Sequence, residues 1–111
     1  NFTNKCYTIK KTQLILEHLI LEIKKETKNN MSLFFIPQLS DINKDSSKRQ
    51  KFFNKIRNIH KVKIHDATNY LIKEMGSIKK TELLYVERGY GGHLTNKGNH
   101  LIAKWIKELI L

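Results

Sequence analysis

The last fifth of the chain holds the residues best placed for chemistry. Its sequence, YGGHLTNKGNHLIAKWIKELIL (residues 90–111), sets His93 behind two glycines and just ahead of an amphipathic segment. An imidazole is the side chain that enzymes use most often as a general base. Gly91 and Gly92 permit backbone angles that other residues avoid, and they let a second segment approach closely. The placement fits a base that presents one ring nitrogen to a nucleophile.

Helical and extended segments alternate along the sequence that positions this histidine. Apolar residues at helical spacing, without Gly or Pro, predict a long helix over residues 9–28. Three further helices are predicted: one that ends at His60, one that contains Tyr70 and one that closes the chain. Short apolar runs predict strands over residues 31–36, 62–65 and 83–86. Strands that are apolar on both faces and alternate with helices predict the α/β class, as a three-layer α/β/α sandwich around a parallel sheet.

Ligands bind at the carboxyl ends of the strands in such a sheet. His93 follows the last predicted strand by about seven residues, so we expect it at that edge. Tyr90, Gly91 and Gly92 form the predicted substrate-binding loop, although Tyr90 can instead cover the sheet edge. Thr95 or Asn96 can cap the closing helix. We expect this helix to bury one apolar arc, made of Leu101, Ile102, Trp105, Ile106, Leu109 and Ile110.

Two earlier helices also have predicted buried faces. The face of the first is broad and consists of Ile9, Ile15, Leu16, Leu19, Ile20 and Ile23. The helix that ends at His60 has Asp45 or Ser46 as its candidate N-cap. Its predicted buried arc consists of Phe52, Phe53, Ile56 and Ile59.

The charge balance favours anionic partners such as nucleic acid, an anionic lipid surface or an acidic glycan. The chain has 21 Lys and Arg against 10 Asp and Glu, a net charge of +11. Residues 48–63 place seven of these cations around Phe52 and Phe53, so this segment can bind nucleic acid through phosphate contacts and base stacking. Two simpler explanations compete. An AT-rich genome raises the Lys, Asn and Ile content of all its proteins. Phenylalanines at helical spacing are typical of a core face with solvated lysines beside it.

The segment LYVERGYGGHLTNKGNHLIAKWI (residues 84–106) resembles the C-terminal block of the SGNH, or GDSL-type, hydrolases. In that family a loop histidine precedes a small polar residue, a Gly-Asn or Gly-His step and an apolar-Ala pair. Upstream, residues 9–38 and 62–71 resemble later helix and strand units of the family's flavodoxin-like fold. The resemblance implies a serine esterase scaffold with His93 as general base. The other matching positions are Thr95, Gly98, Asn99, Ile102 and Ala103.

The family's other catalytic blocks are absent from this sequence. They are a Gly-Asp-Ser nucleophile block and the oxyanion-hole Gly and Asn. The family's acid stands two or three positions before the histidine, where this chain has Gly91 and Tyr90. Glu87, six positions before His93, can orient the imidazole if the loop folds back, or it can form a surface ion pair with a lysine.

Residues 1–111 are therefore expected to form a single α/β domain, the C-terminal part of a larger SGNH-like hydrolase whose serine lies in a missing N-terminal half. A degenerate, non-catalytic relative that kept the scaffold is the alternative. The expected substrate is an ester or acylated molecule, such as a glycan or lipid, and the reaction needs no metal or organic cofactor.

The remaining candidates are weaker. His60 with His65, or His93 with His100, lacks the i, i+4 helical spacing of a metal pair, so we expect structural or solvated histidines. No stretch approaches the roughly 18 apolar residues that a membrane span needs.

Overall fold

Helices and short strands alternate along the chain. A computed structural model describes residues 10–28, 30–90 and 92–111 and shows a mixed α/β protein. The helices are α1 (Lys10–Glu26), α2 (Leu39–Ile42), α3 (Ser47–His60), α4 (Thr68–Met75) and α5 (Asn96–Ile110), with 3₁₀ helices at Lys79–Leu84 and Arg88–Tyr90. The strands are β1 (Ser32–Phe35), β2 (Lys63–Asp66), β3 (Tyr85–Val86) and β4 (His93–Leu94).

The strands form two small sheets. β1 and β2 run parallel as one two-stranded sheet, and β3 and β4 form a separate antiparallel pair. The prediction of a strand over residues 83–86 is therefore wrong for residues 83 and 84, which are helical. It is also wrong about the sheet, because Tyr85 and Val86 pair antiparallel with β4 and do not join a parallel sheet. Thr81 and Leu84 are both fully buried. A 3₁₀ helix aligns positions three residues apart, so this spacing suits the helix that replaces the start of the predicted strand.

The chain divides into two compact units. The first comprises Asn1–Leu33 and Asp45–His65, and the second comprises Phe34–Lys44 and Asp66–Leu111. The first unit contains α1 and α3, and the second contains α2, α4, α5 and the β3–β4 pair.

In the first unit, a cluster of charged side chains joins α1 to α3. Within α1 no residue is buried, and Ile15, Leu19 and Ile23 are each about half exposed, so the predicted buried face of this helix is wrong for those three residues. Ile9 lies outside the described residues. Instead the Glu17 carboxylate lies 2.8 Å from His60 Nε2 and 3.1 Å from Lys55 Nζ. Hydrogen bonds from these two side chains lower the pKa of Glu17.

The apolar contacts of α3 follow its sequence pattern in part. Phe52, Phe53 and Ile56 are buried, which confirms three members of the predicted arc, whereas Ile59 is exposed. At the start of the helix, Asp45 accepts hydrogen bonds of 3.0 Å from both the backbone N–H and the hydroxyl of Ser47. These bonds lower the pKa of the Asp45 carboxyl group.

The second unit has its own hydrophobic core. Trp105 of α5 packs edge-on against Phe34, with ring centroids 5.7 Å apart, and lies beside Tyr70 of α4 at 6.1 Å. Ile102 and Trp105 are buried as predicted, whereas Leu109 and Ile110 at the end of α5 are exposed. The other buried members of this core are Leu39, Ile42, Ala67, Leu71, Leu84 and Tyr85.

Candidate functional site

A β-hairpin in the second unit brings together the two residues proposed for chemistry. β3 and β4 pair antiparallel with Val86 opposite His93 and Tyr85 opposite Leu94. The ladder continues by one more bond, because the Thr95 N–H donates to the Leu84 carbonyl at 2.8 Å. The loop after β3 therefore folds back, which is the condition under which Glu87 can reach the imidazole.

The Glu87 carboxylate lies 3.2 Å from Nε2 of His93. Both side chains are open to solvent, with 64% of the glutamate and 75% of the histidine side chain exposed. The two groups lie within ion-pair distance, and a carboxylate beside Nε2 favours a proton on that nitrogen, which leaves Nδ1 as an acceptor. The pair has the residue types of the acid–base half of a catalytic triad, but its carboxylate lies on Nε2, whereas the acid of the Ser-His-Asp triad lies on Nδ1.

The backbone of Glu87 adopts an unusual conformation. Its φ is +54°, in the left-handed region that residues with a Cβ rarely enter. Such a backbone costs on the order of 1–3 kcal/mol and persists where the surrounding structure enforces it, which is common at functional sites. Glu87 directly follows β3, and its carboxylate lies near His93 at the start of β4.

Gly92 holds the other side of the turn. Its φ is +83°, and a Cβ there would lie 3.1 Å from Cβ and 3.2 Å from Cδ1 of Tyr85. Both the backbone angle and the close approach to Tyr85 require glycine. Gly92, which immediately precedes His93, is thus fixed by its packing on Tyr85, the residue paired with Leu94.

Helix α5 anchors the hairpin from below. Thr95 is its N-cap and accepts a hydrogen bond of 3.1 Å from the Gly98 N–H. This outcome selects Thr95 from the two predicted caps. A Cβ on Gly98 would lie 2.8 Å from Cδ2 of Leu94 and 2.9 Å from the Leu84 carbonyl oxygen. The helix therefore touches the backbone next to the hairpin, and this contact fixes the strand that carries His93.

Tyr85 supports the same hairpin from the core. Its side chain is 2% exposed, and its hydroxyl donates a 2.6 Å hydrogen bond to the Pro37 carbonyl. Burial, with a smaller contribution from Asp41, raises the pKa of Tyr85 to about 12. The tyrosine therefore stays neutral at physiological pH, and its buried side chain packs closely against Gly92.

The predicted substrate-binding loop is described only in part. Gly92 belongs to it and packs on Tyr85, while Gly91 and the side chain of Tyr90 lie outside the described part of the chain. The backbone of Tyr90 ends the 3₁₀ turn that begins at Arg88.

Three supporting residues escaped the sequence reasoning. The hydrogen bond between Tyr85 and Pro37 joins positions 48 residues apart, and no local sequence pattern predicts it. Gly98 matched the hydrolase motif, but the motif gave no reason for a glycine there. A glycine inside an otherwise regular amphipathic helix is itself a signal of close backbone approach, and this one could have been found in that way.

The other candidate sites fare differently. In the described ranges, no group of three or more His, Cys, Asp and Glu side chains is placed to hold a metal ion, and no helix is long and apolar enough to span a membrane. Base stacking on the two phenylalanines of α3 is contradicted, because Phe52 is 6% and Phe53 is 3% exposed.

No family model matches this chain, and neither a curated protein nor a solved structure matches it significantly.

Proposed function

We propose that this chain supplies the acid–base half of a serine ester hydrolase, with His93 as general base and Glu87 as the acid that orients it. The observation that carries the proposal is the 3.2 Å contact between the Glu87 carboxylate and His93 Nε2. Three further features support it: the left-handed backbone of Glu87, the glycine that precedes His93, and the anchoring of the strand by α5.

The proposed reaction is acyl transfer through a serine ester. His93 Nδ1 takes the proton of a serine hydroxyl as its oxygen attacks the acyl carbonyl. The imidazolium then returns this proton to the departing alcohol. In the second half of the reaction, water or a sugar hydroxyl attacks the acyl-enzyme, and His93 takes and returns a proton again. Glu87 stabilises the imidazolium in both steps.

The nucleophile comes from outside residues 1–111 in this proposal. The chain has five serines, and none follows the glycine-rich strand-to-helix turn that exposes a nucleophile. The hydroxyl of Ser40 is buried without a hydrogen-bond partner among the described residues, so it is not presented to a substrate.

The finer fold is part of the same proposal. The parallel pair of β1 and β2 is proposed as two neighbouring strands of a flavodoxin-like sheet, completed by a segment that carries the serine. This is the C-terminal portion of an SGNH-like hydrolase, and its proposed substrates are acyl esters of glycans or lipids.

Covalent labelling tests this function. The gene product that carries these residues is treated with a fluorophosphonate probe and the labelled serine is detected by intact mass. His93→Ala should slow labelling by about 10²-fold or more, since general base catalysis contributes about that much. Glu87→Gln should slow it by at least about tenfold.

Matched controls come from the same unit. His100→Ala on α5 and Glu82→Gln in the 3₁₀ helix replace the same residue types away from the hairpin. Labelling that does not depend on His93, or a folded protein that takes up no probe, would overturn the hydrolase proposal.

A further inference from the structure

The positive charge of the chain is concentrated in one unit. Residues 1–33 and 45–65, which form the first unit, hold 13 Lys and Arg against 4 Asp and Glu. The second unit, which contains the Glu87–His93 pair, holds 8 against 6. Codon bias acts on a whole gene, so it does not explain why the excess lies in one unit. An uneven distribution of this kind is the electrostatic footprint of a polyanion-binding surface.

Three of these cations line a cleft on α3. Lys48, Lys51 and Lys55 line it together with Phe52 and with Gln13 of α1, and its volume is about 430 Å³. The three lysines lie at positions i, i+3 and i+7, which share one face of a helix. With a rise of 1.5 Å per residue they span about 10 Å along the axis. We call this group the lysine cleft.

Two of these cations form no close ion pair among the described residues, although, besides the hydrogen bonds from Ser47, the charge of Lys48 contributes to the lowered pKa of Asp45. Lys55 pairs with Glu17 at 3.1 Å, whereas neither Lys48 nor Lys51 forms an ion pair in the described part of the chain. The carboxylate next in sequence, Asp45, is held by the N–H and hydroxyl of Ser47. Like charges on neighbouring positions of a helix destabilise it slightly. An anionic ligand would remove that repulsion.

The shape and lining of the cleft indicate which part of an anionic ligand it can bind. Phe52 lines the cleft, but it is only 6% exposed and Phe53 is 3% exposed, so neither ring offers a base a face on which to stack. Its volume falls within the range of about 300–1,000 Å³ typical of ligand sites, which admits a sugar-phosphate unit as well as a bare ion. Lysine ammonium groups bind phosphates as point charges and do not discriminate between bases.

We propose that the lysine cleft binds duplex nucleic acid through the phosphates of its backbone and without sequence preference. The proposal stands on the charge distribution and the cleft, and it does not depend on the hydrolase function. Because the ligand is bound by charge alone, duplex DNA, whose charge density is higher, should bind more tightly than single-stranded DNA of equal length.

Fluorescence anisotropy with a labelled duplex of about 20 base pairs tests this inference. For the full chain, log Kd should rise linearly with log salt between about 50 and 200 mM. Lys48→Gln combined with Lys51→Gln should weaken binding roughly tenfold at the lower salt concentration. The same change should reduce the slope of the salt dependence by about 2, since each lost phosphate contact contributes about 0.9.

The chain offers a matched control in Lys104→Gln combined with Lys107→Gln. These lysines have the same i, i+3 spacing on an exposed face of α5, and the variant has the same net charge. Equal losses for the two double variants would show a general charge effect and overturn the assignment to the lysine cleft. Tighter binding of single-stranded DNA, or binding of heparin without binding of the duplex, would overturn the proposed ligand. Thermal unfolding of each variant establishes that it is folded.

Discussion

Individual side chains decide how the candidate site is held. The acid and the base meet on the protein surface, where an ion pair contributes only about 0–1 kcal/mol to stability. The φ of +54° at Glu87 costs at least as much as such a pair returns. The ion pair therefore does not by itself offset the cost of this backbone conformation, which Lys28 and Lys61 also adopt.

Two tyrosines of the second unit should respond in opposite ways to loss of their hydroxyl groups. Tyr85→Phe leaves the buried Pro37 carbonyl without its hydrogen bond, so we expect a loss of about 1–3 kcal/mol in the free energy of unfolding. The hydroxyl of Tyr70 is buried without a partner among the described residues, so Tyr70→Phe should be neutral or stabilising. Urea unfolding of both variants measures the difference. Equal destabilisation by the two changes would contradict this account of the core.

Tyr85 should also make the fold sensitive to alkaline pH. Its pKa is raised to about 12 by burial, against about 10 in an unfolded chain. Between these values the folded state holds a proton that the unfolded state has lost. The resulting stability is complete below about pH 10 and is lost as the pH rises towards 12, by roughly 2 kcal/mol.

Unfolding free energies near pH 9 and near pH 11.5 measure this dependence, and Tyr85→Phe is its control. The variant should be less stable at the lower pH and should lose less on going to the higher one. Parallel losses in the two proteins would show that other groups govern the alkaline transition.

Among the helices, α5 determines where the hairpin lies. Its N-cap, its buried Trp105 and its close contact at Gly98 all fix the end that follows β4. By contrast α1 leaves Ile15, Leu19 and Ile23 half exposed, and its Glu17 pairs with Lys55 and His60 of α3. The two helices thus differ in how much of their apolar surface is buried.

Gly98→Ala tests the close contact between α5 and the hairpin. The added Cβ would meet the Leu84 carbonyl oxygen at 2.9 Å, and that carbonyl is held by the Thr95 N–H. We expect a loss of about 1–3 kcal/mol from overpacking, although alanine favours a helix by up to about 1 kcal/mol.

Gly89→Ala provides the comparison in urea unfolding. A Cβ at Gly89 meets nothing within 4 Å, so this variant should unfold with a free energy close to that of the parent. A Gly98→Ala variant as stable as the parent would show that helix and hairpin are not in fixed contact.

Across the molecule, structure and charge are divided in the same way. The unit with nearly balanced charge carries the acid–base pair, and the strongly basic unit carries the lysine cleft. The two proposals therefore use different residues and can fail separately. Probe labelling tests the first, and the salt dependence of DNA binding tests the second.

Much of the secondary structure follows from local sequence. The long first helix, the helix Ser47–His60, the strands near residues 32–35 and 63–66 and the closing helix lie where the periodicity predicts them, because hydrophobic spacing and caps are local properties. The sequence predicts the contact between Glu87 and His93 only if the loop between them folds back, because no spacing rule determines the conformation of such a loop.

Other features depend on residues that are far apart in the sequence. Ile15, Leu19 and Ile23 of α1 stay half exposed, and the hydroxyl of Tyr85 in the hairpin bonds to Pro37, 48 residues away. Contacts of this kind are settled by which surfaces meet when the chain collapses. Periodicity states which face of an element is apolar, and packing against distant segments decides whether that face is covered.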